Sequence, residues 1–189
     1  MPTKTSELLA AAAPPTVVLV RTIGDDQLDL PTPCADYTVR GLLNHVYDVV
    51  VNFQRLAARQ EADWSAKTDH VAEPGWRDRF AAETAQLVAA WDDPASEEGV
   101  VPGMGLSRST VGLMGVVDLV VHGWDLARAT GQPYEPAREC VAAVHGFLDE
   151  MGPMGRQMGA FGPEVPVDAD RSELDRLLGR AGRDPAWTR

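Results

Sequence analysis

The stretch VGLMGVVDLVVHGWDLARATG, residues 111–131, decides the fold class, because it is apolar almost all round yet carries three polar side chains along one line. Asp118 and His122 stand one helical turn apart on the same face, and Asp125 follows three residues later. Val116, Val117, Leu119, Val120, Val121, Trp124 and Leu126 surround them. A helix with that pattern expects to be buried, and a buried charge without a partner is costly. Carboxylate and imidazole groups aimed together into a bundle interior are how helical proteins build metal sites.

Working outward, apolar spacing supports helices along nearly the whole chain, with no hairpin signal between alternating strands. Upstream, Thr38 is placed to cap a helix in VRGLLNHVYDVVVNFQRLAARQ. Its core stripe is Leu42, Val46, Val49, Phe53 and Leu56, and His45 lies on that stripe. A further helix is expected over Trp76–Trp91, ended by Asp92-Asp93-Pro94. Pro136 opens another running to about Met151, and a short last helix spans Ser172–Arg180. At the start, Ser6–Ala13 reads as helix, Pro14-Pro15 interrupts it, and a new helix begins near the prolines. Pro31 and Pro33 keep the segment before Thr38 extended. Connections of this length imply an all-α fold, an antiparallel four-helix bundle with additional short C-terminal helices. The bundle is expected over residues 1–151, with an irregular tail and short helix, 152–189, packed on it as part of one domain.

Composition narrows the function classes. At 189 residues the chain is long enough for a full core. Its 28 acids against 17 bases give a net charge of −11, which argues against a nucleic-acid or anionic-membrane surface. Neither a charge-free run of about eighteen apolar residues nor a signal-peptide pattern is seen. Two cysteines, Cys34 and Cys140, show no metal or redox spacing. A reduced cytoplasmic protein is expected, with a homodimer as one assembly.

Such a bundle could place His45 opposite His122, a contact that spacing alone does not establish. Two imidazoles and one carboxylate suit a divalent transition metal and leave positions open for water or substrate. The candidate ligands are His45, Asp118 and His122, with Asp125 and Asp48 as acceptors orienting the imidazoles. Asp125 is also an alternative ligand by spacing. A satisfied core histidine is the competing reading. His70 reads as solvated in a polar loop, Cys34 as a plain small residue or a reactive thiol, and Met151, Met154 and Met158 as adaptable packing. The Gly/Pro-rich segment from Gly152 to Pro166 carries enough apolar side chains to form one wall of the pocket, with a surface wrap over exposed core as the alternative.

The stretches LDLPTPCADYTVRGLLNHV, DLVVHGWDLARATGQ and FGPEVPV with the terminal LDRLLGRAGRDPAW resemble the actinobacterial metal-binding branch of the DinB/YfiT-like superfamily. That branch includes the N-terminal domain of mycothiol-dependent maleylpyruvate isomerase. The resemblance spans about Leu8 to Trp187. It implies a four-helix bundle holding a divalent metal through a histidine on the second helix and an acid-x-x-x-His pair on a later one. Residue by residue these are His45, Asp118 and His122. The isomerase acid is Glu where this chain has Asp118, and the isomerase carries a further C-terminal α+β domain where this chain has a short stretch after Met151. The isomerase reaction itself is therefore not expected. The resemblance implies an enzyme using zinc, or alternatively nickel, with mycothiol or a similar small thiol, for isomerisation or thiol transfer to an electrophile. Metal-assisted hydrolysis and a non-catalytic bundle with an internal polar network remain as rival readings.

Overall fold

The structure, a computed structural model, describes residues 4–189. Among the described residues six α-helices are found: α1 Thr5–Thr22, α2 Val39–Ala57, α3 Trp76–Trp91, α4 Arg108–Thr130, α5 Arg138–Gln157 and α6 Glu173–Arg180. No strand occurs among the described residues, only isolated bridges pairing Pro31 with Thr38 and Val100 with Ser107. Helices α1 and α2 each pack against both α3 and α4, which closes a four-helix ring. Helix α5 lies on α4 and α1, and α6 rests on α5.

Local chemistry sets the helix ends. Thr38 accepts a hydrogen bond from the Gly41 amide, Ser107 from Thr110 and Ser172 from Asp175, each satisfying an amide that the helix leaves unpaired. Gly131 ends α4 in the left-handed conformation at φ 72°, which costs glycine little. Helix α4 has the length and apolarity to cross a membrane, but 72% of its most apolar window is buried inside the protein. It is the central helix of the bundle, with Val116, Leu119, Val120 and Leu126 inaccessible.

Two helix boundaries differ from the sequence reading. Helix α1 is continuous through Pro14 and Pro15 instead of restarting there. Both prolines lie away from the buried face formed by Leu8, Leu9, Ala12, Thr16 and Leu19. An interior proline costs about 3 kcal/mol or more, and that buried face compensates. Thr16 also donates to Ala12 O and Leu119 O, tying the stretch after the prolines to α4. Helix α5 runs to Gln157, past Pro153, instead of ending near Met151. Its end is held by contacts that spacing does not reveal. A Cβ on Gly155 would lie 2.5 Å from the Phe161 ring, Arg156 pairs with Glu164 at 2.8 Å, and Arg156 donates to Arg180 O.

Close packing around α4 makes a pair of substitutions informative. A Cβ at Gly112 would stand 2.5 Å from Thr5 Cγ2 and 2.8 Å from the Trp91 ring, whereas one at Gly146, exposed on α5, meets nothing. Gly112→Ala is expected to destabilise by about 1–3 kcal/mol through overpacking. Gly146→Ala is expected to stabilise by about 0.4–1 kcal/mol. Thermal unfolding followed by circular dichroism reads both signs directly.

Candidate metal centre

His45 lies on the face of α2 that meets α4, three residues after Leu42 and four before Val49, and its ring stacks on Tyr37 at 5.3 Å. Asp118 and His122 come from adjacent turns of α4. The fold brings all three together. The His45 and His122 rings meet edge to face at 5.0 Å between centroids. Asp118 Oδ1 stands 3.6 Å from His45 Nε2 and 3.4 Å from His122 Nε2. Both gaps are long for hydrogen bonds. They match the separation of about 3.3–3.4 Å expected between two ligand atoms that are each about 2.0–2.1 Å from a tetrahedral ion. Two imidazole nitrogens and a carboxylate oxygen, convergent and mutually unbonded, are a donor set that fits a divalent transition metal. The shorter acid is no obstacle to convergence, because Asp118 already reaches both imidazoles.

The support behind His122 is complete. Asp125 Oδ2 lies 3.0 Å from His122 Nδ1, so the carboxylate accepts the Nδ1 proton and leaves Nε2 unprotonated toward Asp118 when the ring is neutral. Asp125 is fully buried, and its charge is met by Arg183, whose Nε and Nη2 donate to it at 3.1–3.3 Å. Arg183 Nη1 donates to Ala181 O. Asp125 thus orients the His122 ring while its own carboxylate is engaged by Arg183.

Electrostatics follow from this packing. Burial alone would raise the Asp118 pKa, but the His122 and His45 imidazoles outweigh it and hold the carboxyl at about 2. Burial would lower His122, yet Asp118 and Asp125 together raise it above its ordinary 6.5.

Other expected residues fall elsewhere. Asp48 pairs with His70 Nε2 at 2.7 Å and not with His45 or His122. His70 in turn is not merely solvated. Its ring stacks flat on Tyr47 at 4.0 Å, packed where the sequence around it reads as loop. Cys34 lies close to His122 and Asp125, and its sulfur forms with them a second tight group. Burial raises the Cys34 thiol pKa, opposed by the Arg183 charge. Since Arg183 already occupies Asp125, that second group suits a cation poorly. No local sequence pattern singles out Arg183. Its signal was the buried Asp125, which requires a cation, and the terminal GRDPAW stretch that supplies one.

A cavity of about 350 Å³ opens over Asp118 and His122. Met151, Met154, Met158 and Phe161 line it, so the segment after Met151 does form a wall, although its first part is helical.

A family profile described as "Mycothiol maleylpyruvate isomerase N-terminal domain" matches residues 9–127. Among curated relatives, two proteins of Mycobacterium tuberculosis, from strains CDC 1551 and H37Rv, each carry the description uncharacterized. Each is 31% identical over 175 residues, covering 87% of this chain and 90% of the relative. No solved structure gives a significant match. With residues 9–127 of 189 matched and an all-helical bundle in place, the chain belongs to the mycothiol maleylpyruvate isomerase N-terminal domain family.

Proposed function

We propose that the protein is a divalent-metal-dependent enzyme that activates a low-molecular-weight thiol such as mycothiol for attack on an electrophilic small molecule. The observation that carries this reading is the convergence of His45 Nε2, Asp118 Oδ1 and His122 Nε2, with Asp118 and His122 lining the floor of an apolar cavity. Zinc suits this donor set first and nickel second. When bound, the ion would favour the thiolate form of a coordinated thiol, the nucleophilic species.

The chain's own groups supply the rest. Asp125 keeps the proton of His122 on Nδ1, which leaves Nε2 as a lone-pair donor. Arg183 fixes Asp125 and so the plane of the ring. The Met- and Phe-lined wall is apolar, a surrounding that favours a sulfur nucleophile over attack by water. Family membership supports the thiol assignment, since the matched domain is named for a mycothiol enzyme.

Cobalt(II)-loaded protein titrated with mycothiol tests the reading. A near-ultraviolet sulfur-to-cobalt charge-transfer band is expected at one equivalent of thiol. Metal loading with no such band would overturn the thiol assignment.

Asp125→Asn should weaken metal affinity by about 10–100-fold, the usual effect of losing the acceptor behind a histidine ligand. Competition with a chromophoric chelator measures it, and unchanged affinity would remove Asp125 from the orienting role.

Metal and protons compete for His122. Because its folded-state pKa is raised, its contribution to the stability of the metal-free protein is present below 6.5 and is lost as pH rises through the folded value. Binding of metal must displace that proton. The increase in Tm produced by saturating zinc is therefore expected to be larger near pH 8 than at about pH 5.5. An increase that is flat or reversed with pH would contradict the assignment of His122 as a ligand.

A further inference from the structure

The cavity wall restricts what can meet the proposed centre. Above the floor it is built from Met114, Met151, Met154, Met158, Phe147 and Phe161, from helices α4 and α5 and the segment that follows α5. Thioether and phenyl groups offer apolar, polarisable contact that reshapes around different ligands. The rim continues this character. Of six large hydrophobic residues left exposed among the described residues, Met104, Met154 and Met158 all border this cavity. Single exposed apolar side chains are ordinary, but a cluster at the mouth of a cavity marks a binding surface.

Charge points the same way. Arg183 is the one cation of fixed charge lining the cavity, and each of its three guanidinium nitrogens already donates, Nε and Nη2 to Asp125 and Nη1 to Ala181 O. The wall offers an anionic group no unengaged arginine or lysine. In the metal-free protein Asp118 at the floor would repel one. A carboxylate or sulfonate entering the outer cavity would lose its water without gaining a counter-ion, which is strongly unfavourable.

We infer that the part of the substrate occupying this cavity is uncharged and apolar, an aromatic or branched hydrophobic small molecule and not a dicarboxylate. The inference rests on the proposed function for its reacting end, but the binding preference belongs to the wall alone and is measurable without metal.

Two fluorophores sharing one scaffold provide the test: neutral N-phenyl-1-naphthylamine and its anionic sulfonate, 8-anilino-1-naphthalenesulfonate. Each is titrated into chelator-treated and zinc-loaded full-length protein. The neutral probe is expected to bind at least about tenfold more tightly than the sulfonate in the chelator-treated protein. Phe161→Ala should weaken the neutral probe by about tenfold or more. Val18→Ser, which removes an exposed apolar side chain of α1 that does not line the cavity, should leave it unchanged. Equal or tighter binding of the sulfonate, no binding of the neutral probe, or indifference to Phe161→Ala would overturn the inference. Because the chelator-treated arm requires no metal, failure of metal binding is read separately from failure of the cavity preference.

Discussion

The buried ion pair between Asp125 and Arg183 is the constraint on which the site depends. Asp125 is inaccessible on the central helix, and a carboxylate there is tolerable only with a cation against it. Arg183 arrives from the other end of the sequence, after α6. One contact therefore does two things: it sets the orientation of His122 through Asp125, and it holds the C-terminal segment against α4. Arg128 reinforces the second role by donating to the Pro185 and Trp187 carbonyls. A buried ion pair is weak evidence for net stability. Its value here is placement, because the same pair that orients the floor of the cavity anchors the chain that returns from its roof.

Around that pair, α4 is packed with very little slack. Glycines sit where a methyl group would strike a neighbour, Gly112 against Thr5 and Trp91 and Gly123 against the Tyr134 ring. Tyr134 in turn donates to Leu119 O, one residue beyond Asp118. A rigid helix so held keeps Asp118 and His122 in fixed register, while α2 presents His45 across the gap. The opposite wall differs in kind. Its methionines and the turn through Phe161 are adaptable, so a rigid polar floor faces a compliant apolar roof. That division suits a site where donor geometry is demanding and the shape of the bound molecule is not.

Most of the fold was legible because it rests on periodicity. The stripe through Leu42, Val46, Val49, Phe53 and Leu56 is buried as read, and α3 spans the predicted Trp76–Trp91. Convergence of His45 with Asp118 and His122 followed from placing two amphipathic faces together. What the sequence concealed depends on tertiary contact. Pro14, Pro15 and Pro153 are strong local breakers, yet Thr16 hydrogen bonds and packing carry α1 through the first two, and the Gly155–Phe161 and Arg156 contacts hold α5 beyond the third. Asp48 was within reach of His45 by spacing, but His70 returns on a loop to claim it. Arg183 lies 58 residues from Asp125, and no local pattern links the two.

The central claim is that His45, Asp118 and His122 hold a divalent metal, and elemental analysis of protein purified without added metal or chelator tests it most directly. The proposal predicts about one equivalent of a transition metal per chain, with zinc the first expectation. His45→Ala, at a partly exposed position where truncation spares the core, should retain its helical circular dichroism and lose most of that metal. Parent protein that takes up no zinc, nickel, cobalt or manganese at micromolar concentration, or a folded His45→Ala variant that keeps a full equivalent, would contradict it.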